Sequence, residues 1–190
     1  PNSAVPRPQH APPNRPNQFL GEQAVVLFVG RLQTRKRVDD LIRACVALPK
    51  PLQPILWIVG DGPLRPELEA LAKEIYPQAR FFGAMHGAEL DHQFSRADLF
   101  VLPGSGGLAI QQAMSFGLPV IVGQADGTQS DLVRPENGWC LLSGSIDSLT
   151  QALQTALSDV TRLRKMGLES YRIVKDEINL ENMVRAFVEA

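Results

Sequence analysis

The feature that most narrows the fold is an alternation of two hydrophobic patterns. "AVVLFVG" (24–30), "PILWIVG" (54–60), "ARFFG" (79–83), "LFVLP" (99–103), "PVIVG" (119–123) and "GWCLL" (138–142) are short, almost unbroken apolar runs. A strand with one wet face alternates apolar and polar residues, whereas an unbroken run needs cover on both faces. Between the runs the period changes. Val38, Leu41, Ile42, Cys45 and Leu48 fall on one helical stripe, as do Leu64, Leu68, Leu71 and Ile75. Further helices are expected over 88–97, from "GGLAIQQAMSF" onward, from Ile146, over 160–175 and over 179–189. Strands buried on both faces and alternating with helices predict an α/β domain, a Rossmann-like parallel sheet flanked by helices.

Residues 1–19 read differently. "PNSAVPRPQHAPPNRPNQ" holds six prolines, two arginines and no acid. Such a stretch has too little apolar surface to fold alone and is expected to be a linker or arm, with the domain over 20–190. The chain opens at Pro1 without Met, so a processed chain or a fragment is expected.

Composition removes several function classes. A net charge of −1 gives no electrostatic case for nucleic acid. No apolar run approaches the roughly 20 residues that span a bilayer. Cys45 and Cys140 lie in apolar segments and are expected to be buried free thiols in a reducing, cytoplasmic compartment. Three histidines, none grouped with cysteines or acids, argue against a metal. "GSGGL" is not a G-x-S-x-G nucleophile elbow, and no G-x-G-x-x-G follows the first strand, which argues against a nicotinamide oxidoreductase.

In a doubly wound sheet, ligands bind at the carboxyl ends of the strands. Four loops there carry candidates. After the first strand, Arg31, Arg35, Lys36 and Arg37 cluster before a helix, where cations oppose the helix dipole; an anionic ligand would justify them, and a solvated basic turn is the plainer reading. "GDGPL" (60–64) is half a dinucleotide fingerprint or simply a tight turn. "GAMHGAEL" (83–90) offers the backbone of Gly83, Ala84 and Met85 to a base edge; His86 reads as polar surface more readily than as a general base. "PGSGGLAIQQAM" (103–114) offers Gly104, Ser105, Gly106 and Gly107 for close backbone approach, followed by a helix start. Leu108 and Gln112 are i,i+4 neighbours, so Gln112 is placed to face the same crevice, with an exposed glutamine as the alternative.

In order, "FVGRLQTRKRVDDLI", "IVGDGPLRPELEALA", "FFGAMHGAEL", "ADLFVLPG", "QAMSFGLPVIV" and "NGWCLL" resemble the retaining glycosyltransferases of family 4, group 1, over about residues 24–189. The resemblance implies the C-terminal half of a GT-B fold, which binds a nucleotide-sugar donor while an N-terminal domain of the same protein holds the acceptor. It implies that Arg31 and Lys36 act catalytically by clamping the donor diphosphate. The donor-binding residues are then Gly30, Gly83, Ala84, Met85, Gly104, Ser105, Gly106, Gly107, Leu108 and Gln112, with no metal or other cofactor. Family members carry one glutamate against the sugar and another on the ribose. Those positions align with Gly104 and Gln112, so neither acid is present, and "ADGTQSD" (125–131) with Asp126 and Asp131 also departs from the pattern. The expected function is sugar transfer from a nucleotide diphosphate sugar, as in polysaccharide biosynthesis. The alternative is a degenerate, non-catalytic module that binds a partner or carbohydrate. Cytoplasmic placement is expected, with peripheral contact at the inner face of a membrane left open to a full-length protein.

Overall fold

The computed structural model describes residues 6, 8–9, 11–19, 23–123, 132–141 and 144–179. The six apolar runs form strands β1 (Val25–Val29), β2 (Ile55–Val59), β3 (Ala79–Gly83), β4 (Leu99–Leu102), β5 (Val120–Gly123) and β6 (Gly138–Leu141). They make one sheet in the order β3-β2-β1-β4-β5-β6, and every neighbouring pair is parallel. That order is the doubly wound arrangement, and it reverses between β1 and β4.

Helices α1 (Val38–Ala47), α2 (Arg65–Ile75), α3 (Gly87–Arg96), α4 (Leu108–Ser115), α5 (Ile146–Leu157) and α6 (Val160–Asp176) cover the faces. Helix α1 packs against α2 and α5, and α4 against α6. Phe94 of α3 stacks on Phe116 just past α4, with ring centroids 5.5 Å apart. This double cover is why Leu27, Phe28, Leu56, Ile58, Phe100 and Ile121 are fully buried. Residues 180–189 of the helix expected over 179–189, and Asp126 and Asp131, lie outside the described residues.

Two cysteine environments differ. Cys45 on α1 is fully buried, and burial pushes its thiol pKa up. Cys140, expected to be buried, is only half-buried, because β6 is an edge strand of the sheet formed by the described residues.

The proline-rich stretch lies against the domain over 11–19. Arg15 donates from Nε to the Ala97 carbonyl (2.8 Å) and from Nη2 to those of Phe94 (2.8 Å) and Ser95 (3.4 Å), at the C-terminal end of α3. Its Nη1 reaches the carbonyls of Phe116 (2.8 Å) and Gly117 (3.3 Å), at the end of α4. A cation suits both helix ends. Burial, with help from nearby Arg164, pushes the Arg15 pKa down to about 10 against the opposing pull of Asp98. Asp98 itself is buried at the start of β4, accepting from Val25 N (2.8 Å) and Arg164 Nη2 (2.6 Å). Arg164 in turn donates to the carbonyls of Pro16 (2.8 Å) and Gln18 (3.2 Å).

Candidate functional site

The chain leaves β1 at Gly30 and makes a 3-10 turn over Thr34–Lys36 before α1 begins. The four cations that look clustered in sequence meet different surroundings here. Arg37 caps α1 in the left-handed region (φ 57°). Its guanidinium holds Asp40 (2.6 Å) and the Gly144 carbonyl in the loop before α5. Arg35 sets Nε 2.7 Å from the Gln33 amide oxygen when that amide is turned to accept. Arg31 is exposed and has no ion-pair or hydrogen-bond partner among the described residues.

Lys36 turns inward. Its Nζ donates to the main-chain carbonyl of Ser105, and Ser105 N donates back to the Arg35 carbonyl at 3.2 Å. The loops after β1 and β4 are therefore tied together where the strand order reverses. Burial, and then the neighbouring Arg35, hold the Lys36 pKa below the ordinary lysine value. Lys36 also lies against Gly30 and Gly106: a Cβ on Gly30 would stand 3.8 Å from Lys36 Cε, and one on Gly106 would stand 2.8 Å from Nζ.

The glycines of the β4–α4 loop divide into two kinds. A Cβ on Gly104 would meet the Arg35 carbonyl oxygen at 1.9 Å, so Gly104 is required by the approach of the other loop. At Gly107 a Cβ would find nothing within 4 Å, and Gly107 occupies the uncapped start of α4. Ser105 Oγ is buried without a hydrogen-bond partner among the described residues. Leu108 is 51% exposed beside it.

A cleft of about 750 Å³ opens at the carboxyl ends of β1, β2 and β3. Its walls include Gly30, Arg31, Gly60, Asp61, Ala84, Met85, His86 and Leu90. Its one aspartate is partly neutralised, because Arg65 Nη1 stands 3.2 Å from Asp61 Oδ2 while also holding Glu69. The unpaired Arg31 thus leaves the cleft receptive to an anion. The "GDG" turn resolves as architecture: Cβ atoms on Gly60 and Gly62 would strike the carbonyls of Gly30 and Leu32 at 1.9 and 2.3 Å.

Of the residues expected from sequence, Gly30, Arg31, Ala84 and Met85 line this cleft. Gly83 is the last residue of β3, and its carbonyl accepts from Gly60 N at 2.7 Å. Lys36 joins the cleft's Gly30 edge to the loop of Ser105 and Gly106. Gln112 is not among the cleft's lining residues; it turns sideways to α3, where Nε2 donates to Asp91 Oδ1 at 3.4 Å. Asp61, Arg65 and Asp91 carry no sequence signal of their own, since each is an ordinary acid or base on a turn or helix. Among the described residues no group of three or more histidines, cysteines and acids is placed to hold a metal ion. No helix among them is long and apolar enough to cross a membrane.

Strand order 3-2-1-4-5-6, with an open cleft and a glycine loop at the carboxyl ends, defines a Rossmann-like ligand-binding domain. The chain belongs to the group 1 glycosyl transferases, whose family model matches residues 13–172. It is 36% identical over 154 residues to a GDP-mannose-dependent alpha-mannosyltransferase of Mycolicibacterium smegmatis, covering 79% of this chain and 38% of that one. Sucrose-phosphate synthase from Thermosynechococcus elongatus superposes with a TM-score of 0.78 at 27% identity, over 88% of this chain and 44% of that one. HepE from Anabaena, solved in complex with UDP, shares the fold with a TM-score of 0.78 at 21% identity, over 88% of this chain and 48% of that one. The chain spans less than half the length of these relatives.

Proposed function

We propose that this chain is the donor-binding half of a retaining glycosyltransferase and takes a nucleoside diphosphate sugar. The observation that carries the reading is the cleft at the carboxyl ends of β1–β3, edged by the unpaired Arg31 and continued by Lys36 and the glycine loop. The base lies along Ala84 and Met85, and the diphosphate reaches toward Arg31, Lys36 and the start of α4. As the sugar–oxygen bond breaks, charge collects on the leaving diphosphate. Fixed cations and the α4 N-terminus stabilise that charge without a metal. UDP in the HepE structure and GDP-mannose in the name of the mannosyltransferase support a nucleoside diphosphate as the ligand class. The acceptor is held by an N-terminal domain of the longer protein, so this chain alone binds nucleotide and transfers no sugar. Any contact with the inner face of a membrane belongs to that longer protein.

One observation favours a second reading, a non-catalytic module: Gly104 and Gln112 bring no carboxylate to the glycine loop or to α4. Calorimetric titration with UDP, GDP and ADP and their sugar conjugates separates the two. Saturable binding of at least one nucleotide supports the donor-binding reading. No heat with any of them, together with tight capture of a protein or glycan partner, supports the module.

A further inference from the structure

Two helices that begin at the cleft and the glycine loop end together on Arg15. Helix α3 starts beside the cleft, where His86 and Leu90 line the wall, and α4 starts at the glycine loop. Their 10 and 8 residues carry them about 15 and 12 Å toward the other end of the sheet, at roughly 1.5 Å per residue. There the carbonyls of Phe94, Ser95 and Ala97 and those of Phe116 and Gly117 converge on one guanidinium. A helix carries partial negative charge at its C-terminus, so two such ends side by side repel unless a cation lies between them. The Asp98 carboxylate bonds Val25 N and Arg164 instead, and among the described residues every hydrogen bond of Arg15 ends on a main-chain carbonyl. The arm is pinned on either side of Arg15. Upstream, Pro12 presses on Gly117 (φ 66°), where an added Cβ would stand 2.7 Å from Pro12 Cβ. Downstream, Arg164 of α6 holds the Pro16 and Gln18 carbonyls and lies over the Phe19 ring, 5.7 Å from its centroid.

We propose that the arm is a strap that seats α3 and α4, and that Arg15 is thereby a positioning residue for nucleoside diphosphate binding at the opposite end of the sheet. The inference rests on the donor-binding reading above. Three contacts hold the two helices side by side. Arg15 joins their ends, the Phe94–Phe116 stack lies beside it, and Gln112 Nε2 donates to Asp91 Oδ1 at 3.4 Å further up. Without the guanidinium the two sets of carbonyls part to reach water, because buried acceptors left without donors are costly. A packed helix moves as a rigid element. The displacement is therefore carried along α3 to Leu90 in the cleft wall and along α4 to Leu108 and the glycine loop. The N-terminal domain proposed above is joined through this arm, and a pull on the arm reaches the cleft by the same route.

Four proteins test this: the wild type, Arg15→Lys, Arg15→Ala and Leu153→Val. Leu153 is a fully buried residue of α5, which packs against α1, α6 and β6, so the last variant is a control for lost stability alone. Thermal melts establish that each is folded at the assay temperature. Backbone amide shifts are compared first, without nucleotide. Arg15→Ala moves the amides of Gly87, Leu90 and Leu108, at the cleft end of α3 and α4, and Leu153→Val leaves them still. Each protein is then titrated with whichever of UDP, GDP or ADP the wild type binds. Arg15→Ala binds at least about threefold more weakly, the scale of coupling carried through packed elements. Arg15→Lys loses less, because it keeps a cation between the helix ends but not the fork that serves several carbonyls. Leu153→Val melts lower and binds as the wild type does. A purely structural role for Arg15 lowers the melting temperature, confines the shift changes to the helix ends and leaves affinity alone. That result overturns the proposal while the donor-binding reading stands. Should Arg15→Ala fail to fold, Arg15→Lys carries the same two readouts. A wild type that binds none of the three nucleotides overturns the donor-binding reading, and this inference with it.

Discussion

Lys36 lays its ammonium on the main-chain carbonyl of Ser105, and with the bond from Ser105 N to the Arg35 carbonyl this contact joins the loops that follow β1 and β4. The strand order reverses between those two strands, so the contact closes the base of the crevice that a doubly wound sheet offers to ligands. It also consumes one of the three Lys36 donors in the free chain, leaving the ammonium aimed past Gly106.

Arg31 contributes differently, because it is unpaired and already lines the cleft. Arg31→Ala is expected to weaken nucleoside diphosphate binding by at least about 1.5 kcal/mol, roughly tenfold, the size of a charged hydrogen bond. The melting temperature should not change. Calorimetry on the two proteins checks both points, and unchanged affinity removes Arg31 from the site.

Lys36 predicts a pH dependence. Burial and Arg35 lower its pKa, so in the free chain it loses its proton below the usual lysine range. A diphosphate prefers the charged form and so raises the pKa again on binding. Affinity is therefore fully present below the lowered pKa and falls as pH rises through it, with proton uptake on binding over that interval. Titrations in buffers of different ionisation enthalpy at alkaline pH measure that uptake, and Lys36→Met should abolish it.

The two kinds of glycine in the β4–α4 loop separate stability from binding. Gly104→Ala drives a Cβ into the Arg35 carbonyl and should destabilise the fold by about 2 kcal/mol or more through forced separation of the loops. Gly107→Ala meets open space and should leave the melting temperature within about 2 °C of the wild type, as surface changes do. If ligand occupies the space beside Gly107, that second variant nonetheless binds nucleotide more weakly. Paired melts and titrations read both effects.

Arg15 is expected to matter for stability out of proportion to its place in a proline-rich arm. Arg15→Ala strands carbonyls at the ends of α3 and α4 and leaves Arg164 and Asp98 with an altered neighbour. A loss of about 2 kcal/mol is expected, or roughly 4–8 °C in melting temperature for a domain of this size. Urea unfolding followed by circular dichroism measures it.

The strands are legible in the chain because a strand buried on both faces writes its apolar character into consecutive residues, as in "AVVLFVG". The loops at their carboxyl ends follow from topology alone, so Gly30, Arg31, Ala84 and Met85 could be found without coordinates. Sequence spacing fails where contact partners are remote. Arg15 reaches carbonyls 79 to 102 residues away, and nothing near it in the chain points to them. Helical spacing links Gln112 to Leu108, but the facing residue on α3 decides where the side chain turns. Four cations within residues 31–37 look like one cluster in sequence; the last of them, Arg37, sits in the left-handed region and bonds to the Gly144 carbonyl instead.

Backbone amide chemical shifts, followed as a nucleoside diphosphate is titrated into labelled protein, test the location of the donor site most directly. Gly30, Arg31, Ala84, Met85, Gly106 and Gly107 should shift together with one saturating dissociation constant, while residues at the opposite ends of the strands stay still. Saturable binding with shifts confined to other surfaces, or no shift at any of these amides, would contradict a donor site at the carboxyl ends of β1, β3 and β4.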